Sequence, residues 1–125
     1  MMMTQIVTQT QADCGAAIEI VPVPGELDLA TADSLAEQGH AAIARHPWLL
    51  LLDLTGLSFC DARGLGAFVR IANQADPAGC CYGLIGPQPQ VAKMLRISGL
   101  NRRLPVFATF DDAVAQFLRN FGLPG

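Results

Sequence analysis

Lysine is almost missing from this chain. Lys93 is the single one among 125 residues, and the seven arginines are dispersed, with Arg102-Arg103 the one adjacent basic pair. The net charge is −3 and the pI is about 5.1. A nucleic-acid-binding protein carries a basic face or stripe, so this balance argues against that class of partner. Charge of either sign is scarce, at 15%. Long hydrophobic runs are missing too. The longest strongly apolar stretch, Trp48 to Leu52, stops at Asp53. A bilayer span needs about 20 residues, so no direct membrane insertion is expected. Met1-Met2-Met3-Thr4-Gln5 offers neither the basic region nor the apolar core of a secretion signal, and the expected location is cytoplasmic. No CxxC spacing occurs among Cys14, Cys60, Cys80 and Cys81, and His40 and His46 lie in another segment. A structural zinc site is therefore not expected, nor is any other metal or cofactor. Thiols in a reducing compartment default to buried small hydrophobes.

What the chain does have is apolar content: 51% hydrophobic residues and a mean hydropathy of +0.35. The length fits one domain over residues 1–125, with its own core. Either much of it forms a buried sheet, or some apolar surface is reserved for a partner. The pattern predicts strands over Thr4 to Gln11 and Ala17 to Val23, joined by a turn and therefore antiparallel. Pro22 cannot donate to a ladder, which places that end at an edge or bulge. Pro24 to Asp28 reads as a turn. A helix follows from Leu29 to His46, capped by Asp28 or Thr31 and stopped by Pro47. Leu49 to Leu54 is apolar without alternation, as in a strand covered on both faces. A loop over Thr55 to Cys60 leads to a helix from Arg63 to Ala75. Cys80 to Ile85 reads as a strand, Pro89 to Ser98 as a helix stopped at Gly99, Pro105 to Ala108 as a short strand, and Thr109 to Phe121 as the last helix. Alternating helices and strands imply parallel pairs joined by right-handed crossovers. The predicted fold is α/β, a mixed sheet of four to five strands with about four helices.

The most informative segment runs from Asp53 through Leu54, Phe59, Asp61, Gly64 and Leu65. It leads from a buried strand into a helix. Here the sequence resembles the STAS domain, the module of sulfate transporters and bacterial anti-sigma-factor antagonists. Gly25-Glu26-Leu27-Asp28 with Thr31-Ala32 is a second match. Ser98-Gly99-Leu100 followed by Phe110-Asp111-Asp112-Ala113 is a third. The resemblance implies a regulatory protein that docks on an anti-sigma factor which is also a serine kinase. In the family, that kinase phosphorylates the serine after the motif's Asp. The phosphate adds close to two negative charges beside a carboxylate and ejects the antagonist.

This chain departs from the pattern at that position. Ala62 stands where the phosphoacceptor serine is expected, so no phosphorylation is expected there. Arg63 follows, in a first helical turn where the macrodipole disfavours a cation. It needs an anion from Asp61, Asp28 or a partner carboxylate. The expected partner-binding residues are Asp28, Ser58, Phe59, Asp61, Ala62, Arg63, Gly64 and Leu65. The bland readings are caps for Asp28 and Asp61, close helix packing for Gly64 and Gly66, and surface positions for His40 and His46. No nucleophile–base set is evident, so an enzyme is not expected. Alternative roles are a small-ligand (nucleotide or lipid) sensor, or an accessory subunit of a membrane transport assembly. A homodimer is left open.

Overall fold

The computed structural model describes residues 17–120. The predicted strand over Thr4 to Gln11, its antiparallel pairing and Cys14 lie outside these residues. The described elements are β1 (Ile18–Pro22), β2 (Gly25–Leu27), α1 (Leu29–Ala44), β3 (Leu49–Asp53), β4 (Leu57–Cys60), α2 (Ala62–Ala75), β5 (Cys81–Ile85), α3 (Pro89–Ser98), α4 (Leu100–Arg103), β6 (Val106–Phe107) and α5 (Phe110–Asn120). One sheet has four strands in the order β1-β3-β5-β6, and every pair in it is parallel. A second, two-stranded sheet pairs β2 with β4, also parallel.

The predicted α/β class holds, with two differences of detail. Gly25–Leu27 and Leu57–Cys60 were expected in a turn and a loop, and they form the small sheet instead. Leu27, Leu57 and Cys60 are buried, and that burial holds the two short strands together. The hydroxyl of Ser58 adds a bond to the Gly25 carbonyl (3.0 Å). The other difference is α4, a four-residue helix directly after the Gly99 stop.

β3 shows why its leucines do not alternate with polar residues. Leu49 to Leu52 are all fully buried. Leu50 and Leu52 pack with α1, α2 and α3, whereas Leu49 and Leu51 pack with Ala113 and Phe117 of α5. Successive side chains face opposite sides of a strand, so a strand covered twice must be apolar throughout. β1 contains one exception, Glu19, buried at 2% exposure between isoleucines. The guanidinium of Arg45, just after α1, donates to both its oxygens (3.0 and 2.9 Å). A buried carboxylate is tolerated only when paired in this way.

The helices start and stop where their caps dictate. α1 is opened by a capping box: the Asp28 carboxylate accepts from the Ala30 and Thr31 amides, while the Thr31 hydroxyl accepts from the Asp28 amide. His46, at φ 59, turns the chain off α1 in the left-handed conformation. Gly39 of α1 faces Ile71 of α2, where an added Cβ would fall 2.6 Å from the Ile71 side chain. That glycine lets α1 and α2 approach closely.

Candidate functional site

β2 runs into α1 through Asp28, and β4 runs into α2 through Asp61. Leu27 pairs with Cys60 in the small sheet, so the next residue of each strand begins a helix beside the other. The Asp61 amide donates to the Leu27 carbonyl (3.2 Å). The Asp61 carboxylate then caps α2 by accepting from the Gly64 amide (2.8 Å). Two helix starts are thereby held at one edge of the molecule.

Between them lies an open depression of about 550 Å³, lined by Asp28, Leu29, Ala30, Asp61, Ala62 and Arg63. Four of the sequence-predicted residues meet here. Ala62 and Arg63 are exposed, while Asp28 and Asp61 are half-buried. Ser58 and Phe59 lie on β4 outside the depression, and Phe59 is 50% exposed. Gly64 and Leu65 are buried beneath the surface. Gly64 lies against the Leu27 backbone: an added Cβ would overlap the Leu27 carbonyl oxygen and come within 2.8 Å of its carbon. Gly66, by contrast, has open space, so only the first glycine of the pair serves close packing.

Sequence reasoning missed Leu29, which is 62% exposed and lines the depression. Its spacing from Ala32 and Ala36 suggests core. It is, however, the first residue of α1, and so lies beyond the end of the buried stripe. Sequence reasoning also missed the polar brace behind β4. Gln90 donates to the Ser58 carbonyl (2.9 Å), and Gln88 donates to the Thr55 carbonyl (2.9 Å). The Thr55 hydroxyl donates to Asp53 (2.8 Å). The start of α3 therefore holds the β3–β4 turn and β4 in place.

Arg63 forms no ion pair among the described residues; neither Asp28 nor Asp61 supplies its anion. The described thiols are free. Burial, reinforced by the charge of Asp61, pushes the Cys60 thiol up to about 12, and burial with Cys81 alongside pushes Cys80 up to about 11. Burial raises Cys81 as well. These thiols are protonated and poor nucleophiles at neutral pH. No group of three or more His, Cys, Asp or Glu among the described residues is placed to hold a metal ion. No helix among them is long and apolar enough to cross a membrane.

Comparison with known proteins places this geometry in a family. The anti-sigma-F factor antagonist RsfB of Mycobacterium tuberculosis is 25% identical over 108 residues, covering 86% of this chain and 87% of that protein. An anti-sigma F factor antagonist of Paenibacillus polymyxa is 29% identical over 109 residues, covering 86% of this chain and 93% of that protein. The crystal structure of an anti-sigma factor antagonist from Mycobacterium paratuberculosis superimposes with a TM-score of 0.72 at 25% identity, covering 85% of this chain and 88% of that one. The family model described as STAS domain matches residues 5–113, and the chain belongs to that family.

Proposed function

We propose that this protein is an anti-sigma-factor antagonist that docks on an anti-sigma factor of the serine-kinase kind through the paired starts of α1 and α2, and that it is not switched at the family's serine position. One observation carries the reading. The depression between the two helix starts holds the motif's Asp61 and, next to it, an exposed Ala62.

The surface has the makings of a protein interface. Leu29 and Phe59 are large apolar side chains left exposed at 62% and 50% on either side of the two caps. Exposed aromatic side chains such as Phe59 are enriched in protein interfaces, Leu29 adds apolar area, and the carboxylates favour one register. Catalysis has little to work with here. Each carboxylate of the depression is engaged as a helix cap, and no hydroxyl or thiol nucleophile lines it. The role is binding, in the cytoplasm where a sigma factor is controlled.

Ala62 decides the regulation. It sits at the first position of α2, where a serine would present its hydroxyl to a kinase. With a methyl group there, the charge that normally breaks the complex cannot be added. Antagonism is then constitutive or set by abundance.

The test is a titration against the anti-sigma factor that the protein captures from its source cell. Asp61→Lys should weaken binding by at least about tenfold, while its melt stays cooperative with a loss of about 1 kcal/mol for the missing cap. Unchanged affinity would place the interface elsewhere.

A further inference from the structure

We propose that the corner formed by α3 and α4 docks on the surface of an anionic lipid bilayer, with Ile97 as its apolar contact and Lys93, Arg96 and Arg102 as its cations. The chain is acidic as a whole, but its charge is sorted by region. Residues 77 to 110 carry four cations, Lys93, Arg96, Arg102 and Arg103, and not one Asp or Glu. Every carboxylate of the chain lies outside that segment, so a cationic corner sits on an otherwise anionic molecule. Such asymmetry is a sign of a surface that meets opposite charge.

The structure gathers these residues on one exposed corner. Lys93, Arg96 and Ile97 stand at i, i+3 and i+4 of α3 and share a face. Val91 and Leu95 hold the other side of the helix in the core. Gly99, at φ 82, turns the chain straight from α3 into α4, which brings Arg102 and Arg103 within one further turn. All four cations are exposed, and none forms an ion pair among the described residues. Of the other arginines, Arg45 and Arg70 have carboxylate partners, whereas Arg63 and Arg119 form no ion pair among the described residues. Asp76 shares a depression with Arg103, beyond ion-pair distance, which leaves the other three as the core of the patch. Ile97 protrudes among them at 70% exposure, the highest of the exposed large apolar side chains among the described residues.

The shape selects the occupant. Lys93, Arg96, Ile97 and Arg102 line neither the depression at the helix starts nor the one beside Cys80 and Tyr82. No aromatic residue occurs in α3 or α4 to stack on a base. A bilayer asks for no matching pocket. It accepts a protruding aliphatic side chain among its headgroups, and the long cationic stems reach the anionic groups around it. The contact is peripheral, lying on the membrane without spanning it. It also leaves the proposed protein-docking surface free. Gln90, at the start of α3, braces Ser58, and Ile97 lies about 10 Å further along the helix at 1.5 Å per residue.

The experiment is co-sedimentation of the full chain with vesicles of phosphatidylcholine, with and without phosphatidylglycerol. The expected result is binding to the anionic vesicles only, weakening as salt is raised from about 0.05 to about 0.5 M. Lys93→Glu with Arg96→Glu should reduce it by at least about tenfold, each cation being worth roughly fivefold. Ile97→Asp should reduce it as well. Each variant's thermal melt and its binding to the anti-sigma factor should match wild type. Absence of binding to anionic vesicles, equal binding to neutral ones, or equal binding by the charge-reversed variant would overturn the proposal. Loss of anti-sigma-factor binding in that variant, without vesicle binding by wild type, would assign the patch to a protein and overturn it too.

Discussion

The Asp61 amide donates to the Leu27 carbonyl, and Gly64 rests against that same carbonyl. One backbone group of β2 therefore locates the start of α2. Gly64→Ala should show how tight the arrangement is. Alanine is the better helix former by about 1 kcal/mol, so an open site would be stabilised. Here the methyl group meets rigid backbone, and the expected outcome is a net loss of about 1–3 kcal/mol in denaturant unfolding. Gly66→Ala, two residues on with open space, should be neutral or stabilising. The opposite ranking would mean that the two helix starts are not locked.

The two ion pairs of the described residues should differ in worth. Arg45 holds the buried Glu19 through two hydrogen bonds, whereas Arg70 and Asp33 meet at the surface. Arg45→Ala leaves a carboxylate buried without its partner and should cost about 2 kcal/mol, moderated because the guanidinium is itself half exposed. Arg70→Ala should cost at most about 1 kcal/mol. Chemical denaturation of both variants checks the ranking.

The thiols give a pH prediction with a definite sign. In the native state, Cys60 and Cys80 are held above the usual 9.0, at about 12 and about 11. An unfolded thiol releases its proton first, so the unfolded state binds fewer protons at alkaline pH. The stability from these groups is fully present below pH 9 and is lost as pH rises towards 11 and then 12. Unfolding free energy should be insensitive to them at neutral pH and fall above about pH 9. Alkylation at neutral pH should be slow, and partner binding should be the same with and without reductant. A disulfide between Cys60 and Cys80 or Cys81 that forms readily and alters affinity would contradict this.

Much of the fold was legible because single residues carried strong instructions. The unbroken leucine run of β3 announced a strand covered twice. Pro89 and Gly99 marked the ends of α3, and Asp28 and Asp61 were read as caps, which they are. The small sheet was not legible. Gly25–Leu27 has three residues and Leu57–Cys60 has four, with a bulge between Gly25 and Glu26, so neither sustains an alternating pattern. Their pairing is also non-local, which no window of sequence displays. Glu19 looked anomalous in an apolar strand until Arg45 was brought to it. At the candidate site, Asp61, Ala62 and Arg63 were placed by the motif. Leu29 was hidden because a helix's first residue fits the core spacing while standing outside the core.

The central claim is that docking at the α1–α2 edge proceeds without a phosphoswitch. Its most direct test is to incubate the protein with its anti-sigma factor and ATP, map phosphate by mass spectrometry, and titrate binding before and after. Wild type should stay unmodified and keep its affinity. Ala62→Ser should take up one phosphate and lose affinity. The nearby hydroxyls are already committed to holding the fold, Ser58 to the Gly25 carbonyl and Thr55 to Asp53. A kinase that places a helix-start serine in line would miss them, and about 1 Å of misplacement can cost 10²-fold in rate. Stoichiometric phosphate on Ser58 or Thr55 of wild type, with release of the anti-sigma factor, would contradict the account.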